Sequence, residues 1–331
     1  MLYGKLIKPL LFSLPPEQAH HIVTATLSLL GKVPGGRWLL HKLYATEDPS
    51  LEREVFGIRF KNPVGMAAGF DRYGHIYREL SAMGFGFVEV GSITPKRQPG
   101  NPKPRIFRLD AARALLNRVG ICSHGLDRAV AHLRQPRGEA IVGCNIGKNT
   151  ATPCDQAPAD YLKCFRNLYQ YADYFTVNIS CDNSCREGAT HTRAHILRIL
   201  DPLFDFRRGQ NQYRPIMLKV SPDMPDAVID EISDILLETP LDGIVANGIR
   251  IASKLTSVEI SDMTKEKTFS VSEMRVYGKD EMPLYTSYDG YYNADLSNMW
   301  TIFGLAQTEP RMYNSLRGGA TNVEPFRSGQ T

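Results

Sequence analysis

Apolar residues follow two different spacings along this chain. In the first 45 residues they recur at helical intervals. Tyr3, Ile7, Leu10, Leu11 and Leu14 share one helical face, with Lys5 and Lys8 off it. Pro16 stands where a second helix begins. Ile22, Val23, Thr26, Leu29 and Leu30 then repeat the i, i+4, i+7 spacing until Gly31, Pro34, Gly35 and Gly36 end it, and Trp38, Leu39, Leu40 and Leu43 follow. Two arrangements fit. One is a helical hairpin packed on its own domain. The other is an amphipathic surface at a bilayer interface, with Lys5, Lys8 and Trp38 at headgroup level.

From residue 55 the spacing changes. Short apolar runs cover 63–68, 87–91, 141–146, 174–180, 215–220 and 243–246, and helical patterns cover 74–83, 127–134, 160–171 and 225–237. This alternation predicts parallel strands joined by crossover helices, an α/β class. The architecture expected is a (β/α)8 TIM barrel with an N-terminal helical extension. Six strands are read by residue 246, and closure needs two more. After about residue 250, Tyr277, Tyr285, Tyr288, Tyr291, Tyr292 and Tyr313 crowd a segment rich in Ser, Asn, Asp and Met. Residues 268–271 and 274–277 have strand character, without a β-α-β signature. The chain thus divides into an extension (1–45), a barrel region (46–250) and a divergent segment (251–331).

Composition changes little in this picture. Hydrophobic residues at 43% and charged residues at 22% are globular values. A net charge of +4 argues against nucleic acid as a partner, while a local basic patch could still meet anionic lipid. No run approaches the length that spans a bilayer. The six cysteines lack paired zinc spacing, so no metal is expected. Prolines 9, 15 and 16 interrupt the only candidate leader, so reduced cytoplasmic thiols are the expectation.

In a barrel, chemistry gathers at the carboxyl ends of the strands. The first run ends in Ala67-Ala68-Gly69-Phe70-Asp71-Arg72, either a tight turn or a place where backbone approaches a planar ligand. The second leads into Gly91-Ser92 and a proline-rich loop. Asn145 and Asn178 end neighbouring runs and suit the edge of a heterocycle, since an amide both donates and accepts. Lys219 lies in an apolar run, where it either snorkels to water or meets an anionic ring or intermediate. Cys181 is either a small buried hydrophobe or a base.

The segments KNPVGMAAGFDRYG, MGFGFVEVGSITPKRQPGNPKPRIFRL, LLNRVG, VGCNIGKNTATP, YADYFTVNIS and PIMLKVSPD resemble dihydroorotate dehydrogenase. The loop from Gly91 to Leu109 and the opening LIKPLLFSLPPEQAHH are similar to its quinone-linked, membrane-associated class. The resemblance implies FMN lying along Ala67, Ala68, Gly69 and Ser92, with Asn145, Asn178 and Lys219. It implies that Arg72 replaces a lysine that holds flavin and substrate. Asn117, Arg118, Val119 and Gly120 would line dihydroorotate, and Asn178 and Asn183 would hydrogen-bond it. Cys181 would remove a proton from C5 as hydride leaves C6 for the flavin. A membrane quinone would arrive between the N-terminal helices, which would hold the protein peripherally on the cytoplasmic side of the inner membrane. The pathway implied is de novo pyrimidine (UMP) biosynthesis.

The departures are also specific. The quinone class has serine where Cys181 stands. Asp182 replaces a proline, and a carboxylate there would raise the thiol's pKa. Ser184-Cys185-Arg186 and Ile121-Cys122-Ser123-His124 depart from the family's loops, and Ala246-Asn247-Gly248-Ile249 lacks its hydroxyls. No glycine-rich phosphate loop follows residue 250, so weak FMN binding and little turnover are expected. Three readings stand: a working enzyme, a catalytically impaired or non-catalytic barrel protein, and a barrel fragment joined to an unrelated C-terminal sequence.

Overall fold

The structure is a computed structural model that describes residues 3–109, 114–179, 192–220, 226–246, 275–278 and 283–286. The chain opens with a π-helical turn, Tyr3–Ile7, that runs into α1 (Lys8–Phe12). Pro15 and Pro16 separate it from α2 (Pro16–Leu30), because a proline at the first helical position sacrifices no intrahelical bond. Gly35, at φ +79°, leads into α3 (Gly36–Tyr44).

The buried face of α2 differs from the expected stripe. Glu17, Ala19, His20, Val23, Thr24 and Leu27 face inward, whereas Ile22 and Leu29 are exposed. The helix carries two apolar stripes, and the spacing alone did not show which one meets the barrel. Both arrangements left open for these helices therefore keep a counterpart: one face is packed on the protein, the other is apolar and exposed. Among the described residues no helix is long and apolar enough to cross a membrane.

A hairpin of β1 (Arg53–Val55) and β2 (Ile58–Phe60) follows. The six apolar runs then become β3 (Val64–Met66), β4 (Phe87–Ile93), β7 (Val142–Ile146), β8 (Tyr174–Asn178), β9 (Ile216–Val220) and β10 (Gly243–Ala246). All five pairings between them are parallel, in chain order. Between β4 and β7 an antiparallel hairpin, β5 (Ile106–Leu109) and β6 (Ala114–Asn117), rises from the barrel. The outer helices are α4 (Tyr77–Ala82), α5 (Leu126–Leu133), α6 (Ala157–Leu168), α7 (Arg193–Arg208) and α8 (Asp226–Glu238).

The last two strands close the barrel through antiparallel pairing. β11 (Arg275–Gly278) runs antiparallel to both β10 and β12 (Pro283–Thr286), and β12 then lies parallel to β3. Only four residues separate β11 from β12, as an antiparallel hairpin allows, so no β-α-β pattern is legible between them. The strand character read at 274–277 coincides with β11, and that at 268–271 lies outside the described residues.

Inside the barrel the side chains form layers. Val55 and Phe60 of the β1–β2 hairpin, with Phe87, Tyr174, Met217 and Val245, fill the amino-terminal end. Gly65 and Gly143 make room for the Phe87 and Tyr174 rings: a Cβ on either glycine would lie within 2.3 Å or 2.1 Å of ring carbon. A polar layer of Glu89, Asn145, Thr176, Asn178 and Lys219, all buried, sits toward the carboxyl end. The larger core lies between sheet and helices, where Phe165, Phe175, Leu200 and Leu203 are at most 0–1% exposed.

Candidate active site

The polar layer is organised by a carboxylate that the sequence reading did not single out. Glu89 lies in the apolar strand β4. Its two oxygens accept from Asn145 Nδ2 and Thr176 Oγ1, each at 2.8 Å. A carboxylate only accepts, so it fixes the orientation of the Asn145 amide. Asn145 Oδ1 therefore faces Ser92 and accepts from its hydroxyl. With its proton committed, Ser92 Oγ accepts in turn from Asn178 Nδ2 at 2.9 Å. One buried charge thus sets the direction of a relay across three strands. Burial, and then the Glu89 charge, push the Tyr174 phenol well up.

Register places the rest. Asn178 on β8 is the Cα partner of Lys219 on β9, so amide and ammonium end adjacent strands, and both residues are buried. After β3, Ala67 and Ala68 are buried, and Gly69 N donates to Gly91 O at 3.0 Å, bringing the Ala67–Gly69 turn beside Ser92. Gly69 needs no Cβ at φ +110°, and a Cβ on Gly91, at φ +118°, would meet the Asn145 carbonyl at 2.4 Å. The structure brings together all seven expected flavin-facing residues: Ala67, Ala68, Gly69, Ser92, Asn145, Asn178 and Lys219.

Besides Asn178, the expected substrate residues and the expected base Cys181 fall into three groups. Arg72 turns back on its own loop, with Nε donating to Gly69 O at 2.9 Å. Asn117 to Gly120 leave β6 and pack against the proline-rich loop. Asn117 Oδ1 accepts from Val119 N at 3.4 Å, Val119 is buried, and Asn101 donates to the Val119 and Arg118 carbonyls. Arg118 is exposed, its guanidinium on Pro104 O. The loop continues over the barrel mouth, where Ile121 Cδ1 lies 3.1 Å from the Cβ position of Gly147, just past β7. Cys181 and Asn183 lie outside the described residues.

The N-terminal helices are tied to this mouth. Arg105 is buried and donates to Glu17 on α2 through Nε at 3.1 Å, while its Nη1 donates to the Pro99 and Asn101 carbonyls. Arg105 and Lys103 hold the Glu17 carboxyl below its usual range although burial opposes this. Arg108 donates to the Phe12 and Leu11 carbonyls at the end of α1. His20 Nε2 meets Phe70 O at 2.8 Å, which sets α2 directly against the turn after β3. Burial, and then the charge of Arg72, push His20 down to about 3, so the ring is neutral and Nε2 carries the proton. Glu89, Thr176, Glu17, Arg105 and His20 were all missed as site residues. A lone carboxylate inside an apolar strand was the available signal for Glu89.

Cys122, Cys144 and Cys164 are free thiols, and burial pushes the last two well up. Cys154 is disulfide-bonded, contrary to the expectation of uniformly reduced cysteines. Spacing in sequence does not show which thiols the fold brings into bonding range. Among the described residues no cluster of side chains suits a metal ion.

The family model described as Dihydroorotate dehydrogenase matches residues 50–275, past Asp223, where the last quoted motif ends. The protein named dihydroorotate dehydrogenase (quinone) of Christiangramia forsetii is 40% identical over 251 residues, 76% of this chain and 74% of its own length. That of Coxiella burnetii is 44% identical over 250 residues, covering 74% and 70%. Among solved structures, ligand-free DHODH from Eimeria tenella superposes with a TM-score of 0.62 at 32% identity, over 74% of this chain and 73% of that one. The same enzyme in complex with ferulenol gives 0.60 at 30%, over 76% and 70%. By profile, by relatives and by fold, the chain belongs to the dihydroorotate dehydrogenase family.

Proposed function

We propose that this protein oxidises dihydroorotate to orotate in pyrimidine biosynthesis, with FMN in the barrel and a membrane quinone as electron acceptor. The observation that carries this reading is the relay Glu89–Asn145–Ser92–Asn178, which ends beside Lys219 at the barrel mouth. These residues fit a flat ring rich in donors and acceptors. Small residues at 67–69 allow close backbone approach, the amides are oriented in advance, and a lysine supplies positive charge. FMN, when bound, supplies the two-electron chemistry that links dihydroorotate oxidation to quinone reduction.

The chain's own residues do the rest. Cys181, as thiolate, accepts the C5 proton of dihydroorotate. Asn178 and Asn183 hold the polar edges of the substrate, and the loop from Asn117 to Gly120 covers it. Arg72 stands where a cation serves both ligands. Lys219 holds positive charge where negative charge gathers on the ring, an effect strengthened by its burial. Residues 1–45 form the quinone- and membrane-facing extension on the cytoplasmic side of the inner membrane, and α2 reaches the turn after β3 through His20. Asp182 beside the thiol, and Asn247-Gly248-Ile249 after β10, weaken this site relative to the family.

The test is flavin content after purification, followed by an assay of dihydroorotate-dependent reduction of a soluble quinone. FMN lost on gel filtration, with turnover restored by added FMN, is the expected result. No flavin binding and no turnover at saturating FMN would leave the non-catalytic barrel as the reading.

A further inference from the structure

Between α2 on one side and α4 with α5 on the other lies a cleft of about 660 Å³. It is lined by neither Asn145, Asn178 nor Lys219. Among the described residues, five buried side-chain polar atoms have no hydrogen-bond partner, and three belong to residues lining this cleft: Arg78 Nε, His20 Nδ1 and Glu79 Oε2. Their chemistry differs. Arg78 Nε is a donor. His20 gives its Nε2 proton to Phe70 O, so its Nδ1 is an acceptor. Glu79 Oε1 is engaged by Arg37 at 2.9 Å, so Oε2 is an acceptor with its ion pair already made.

The cleft is also positively charged. Glu79 is its one carboxylate and is matched by Arg37, whereas Lys32, Arg78 and Arg128 have no ion pair among the described residues. His124 on the same wall registers this field. Burial pushes it down, and the charges of Arg97, Arg128 and His75 push it further. Beside the cleft in sequence, the apolar side chains of Leu29, Val33 and Trp38 are 65%, 51% and 65% exposed, and they flank Lys32 and Arg37.

We propose that this cleft binds the headgroup of a phospholipid that combines phosphate with hydroxyl donors. Lys32, Arg78 and Arg128 hold the phosphate, and His20 Nδ1 and Glu79 Oε2 accept from the hydroxyls. Guanidinium suits phosphate oxygens geometrically, and neutral and anionic partners are both needed to satisfy a donor and two acceptors in one cavity. Leu29, Val33 and Trp38 enter the acyl region beside it. The proposal rests on the reading of residues 1–45 as membrane-facing.

The full chain is sedimented with vesicles of phosphatidylcholine alone and of phosphatidylcholine mixed with phosphatidylglycerol. The parent and the Lys32→Gln/Arg128→Gln double variant are compared. Both replaced residues are exposed, so the fold tolerates the change. Arg78→Gln is the second variant, and Arg208→Gln, exposed on α7, is the control for general charge. The double variant should bind the mixed vesicles about tenfold more weakly, with binding to phosphatidylcholine unchanged. Soluble glycerophosphoglycerol should compete, and inorganic phosphate should compete less. Equal binding by variant and parent, or an equal loss in Arg208→Gln, overturns the proposal. Equal competition by inorganic phosphate overturns the lipid assignment in favour of a free phosphate. If the parent binds no vesicle while glycerophosphoglycerol raises the melting temperature of the parent and not of the double variant, the membrane reading fails and the headgroup site stands. If neither vesicles nor glycerophosphoglycerol bind, both fail.

Discussion

Two helices that wrap the barrel, α6 and α7, and the helices that precede it treat apolar side chains in opposite ways. α6 and α7 bury Phe165, Leu168, Ile196, Ile199, Leu200, Leu203 and Phe204, and expose no large hydrophobic residue. The N-terminal helices bury Leu11, Ala19, Val23, Leu27 and Leu40 and still expose Leu10, Ile22, Leu29, Trp38, Leu39, Leu43 and Tyr44. A helix packed on one core needs one apolar stripe. A second stripe of this extent marks a second apolar contact, because contiguous apolar patches are rare on surfaces that meet only water. The comparison separates helices that meet one core from helices that also present a second apolar face.

The largest test of that division is kinetic. Cys181→Ala should slow flavin reduction by dihydroorotate by roughly two to four orders of magnitude, the usual worth of a general base. Stopped-flow absorbance measures it, and vesicle sedimentation of the same variant should not change. An unchanged rate would remove Cys181 from the mechanism. In the barrel shell, Phe165→Ala should cost about 3–5 kcal/mol in urea unfolding. Phe165 is fully buried and packs against Phe175 at 4.5 Å and Tyr169 at 5.3 Å between ring centroids.

An effect that grows with acidity belongs to α2. Folding lowers the pKa of His20 from 6.5 to about 3, so between those values the unfolded chain binds a proton that the folded chain does not. The contribution is intact above pH 6.5 and is lost on acidification at about 1.4 kcal/mol per pH unit, down to about pH 3. Urea midpoints measured against pH should fall less steeply in His20→Gln than in the parent. Parallel curves would show that the ring is not held neutral. The smallest effect separates the two stripes of the same helix. Leu29→Ser should change stability by no more than about 0.5 kcal/mol, as at other exposed positions, while weakening vesicle binding. A cost near that of Phe165→Ala would mean that Leu29 is packed, and the comparison would collapse.

Much of the barrel was legible because its strands are short apolar runs bounded by glycine, proline or polar residues. All six runs became parallel strands within a few residues of the expected ends. α7 was harder to read, since Pro202 interrupts a sequence whose apolar spacing is otherwise helical. The strand Pro283–Thr286 had no alternating pattern to betray it, and its place is defined by pairing with β11 and β3. The cluster of Ala67, Ala68, Gly69, Ser92, Asn145, Asn178 and Lys219 was legible because those residues lie at or just past strand ends. Arg105 was not, since a charge matched only across the fold, as by Glu17, looks in sequence like any other charge, and Glu89 showed only as a carboxylate within an apolar run.

Arg105 has a dynamic consequence. One guanidinium serves Glu17 on α2, the Pro99 and Asn101 carbonyls of the proline-rich loop, and the Cys122 sulfur beyond β6. Lifting α2 from the barrel strips a buried cation of its carboxylate, and shifting either loop strips it of its carbonyl or thiol. The three segments are far apart in the chain, yet none can open alone without the cost of an orphaned buried charge. In amide hydrogen exchange they should therefore protect one another as a single cooperative unit. α3 takes no part in the Arg105 contacts and should exchange separately from this unit.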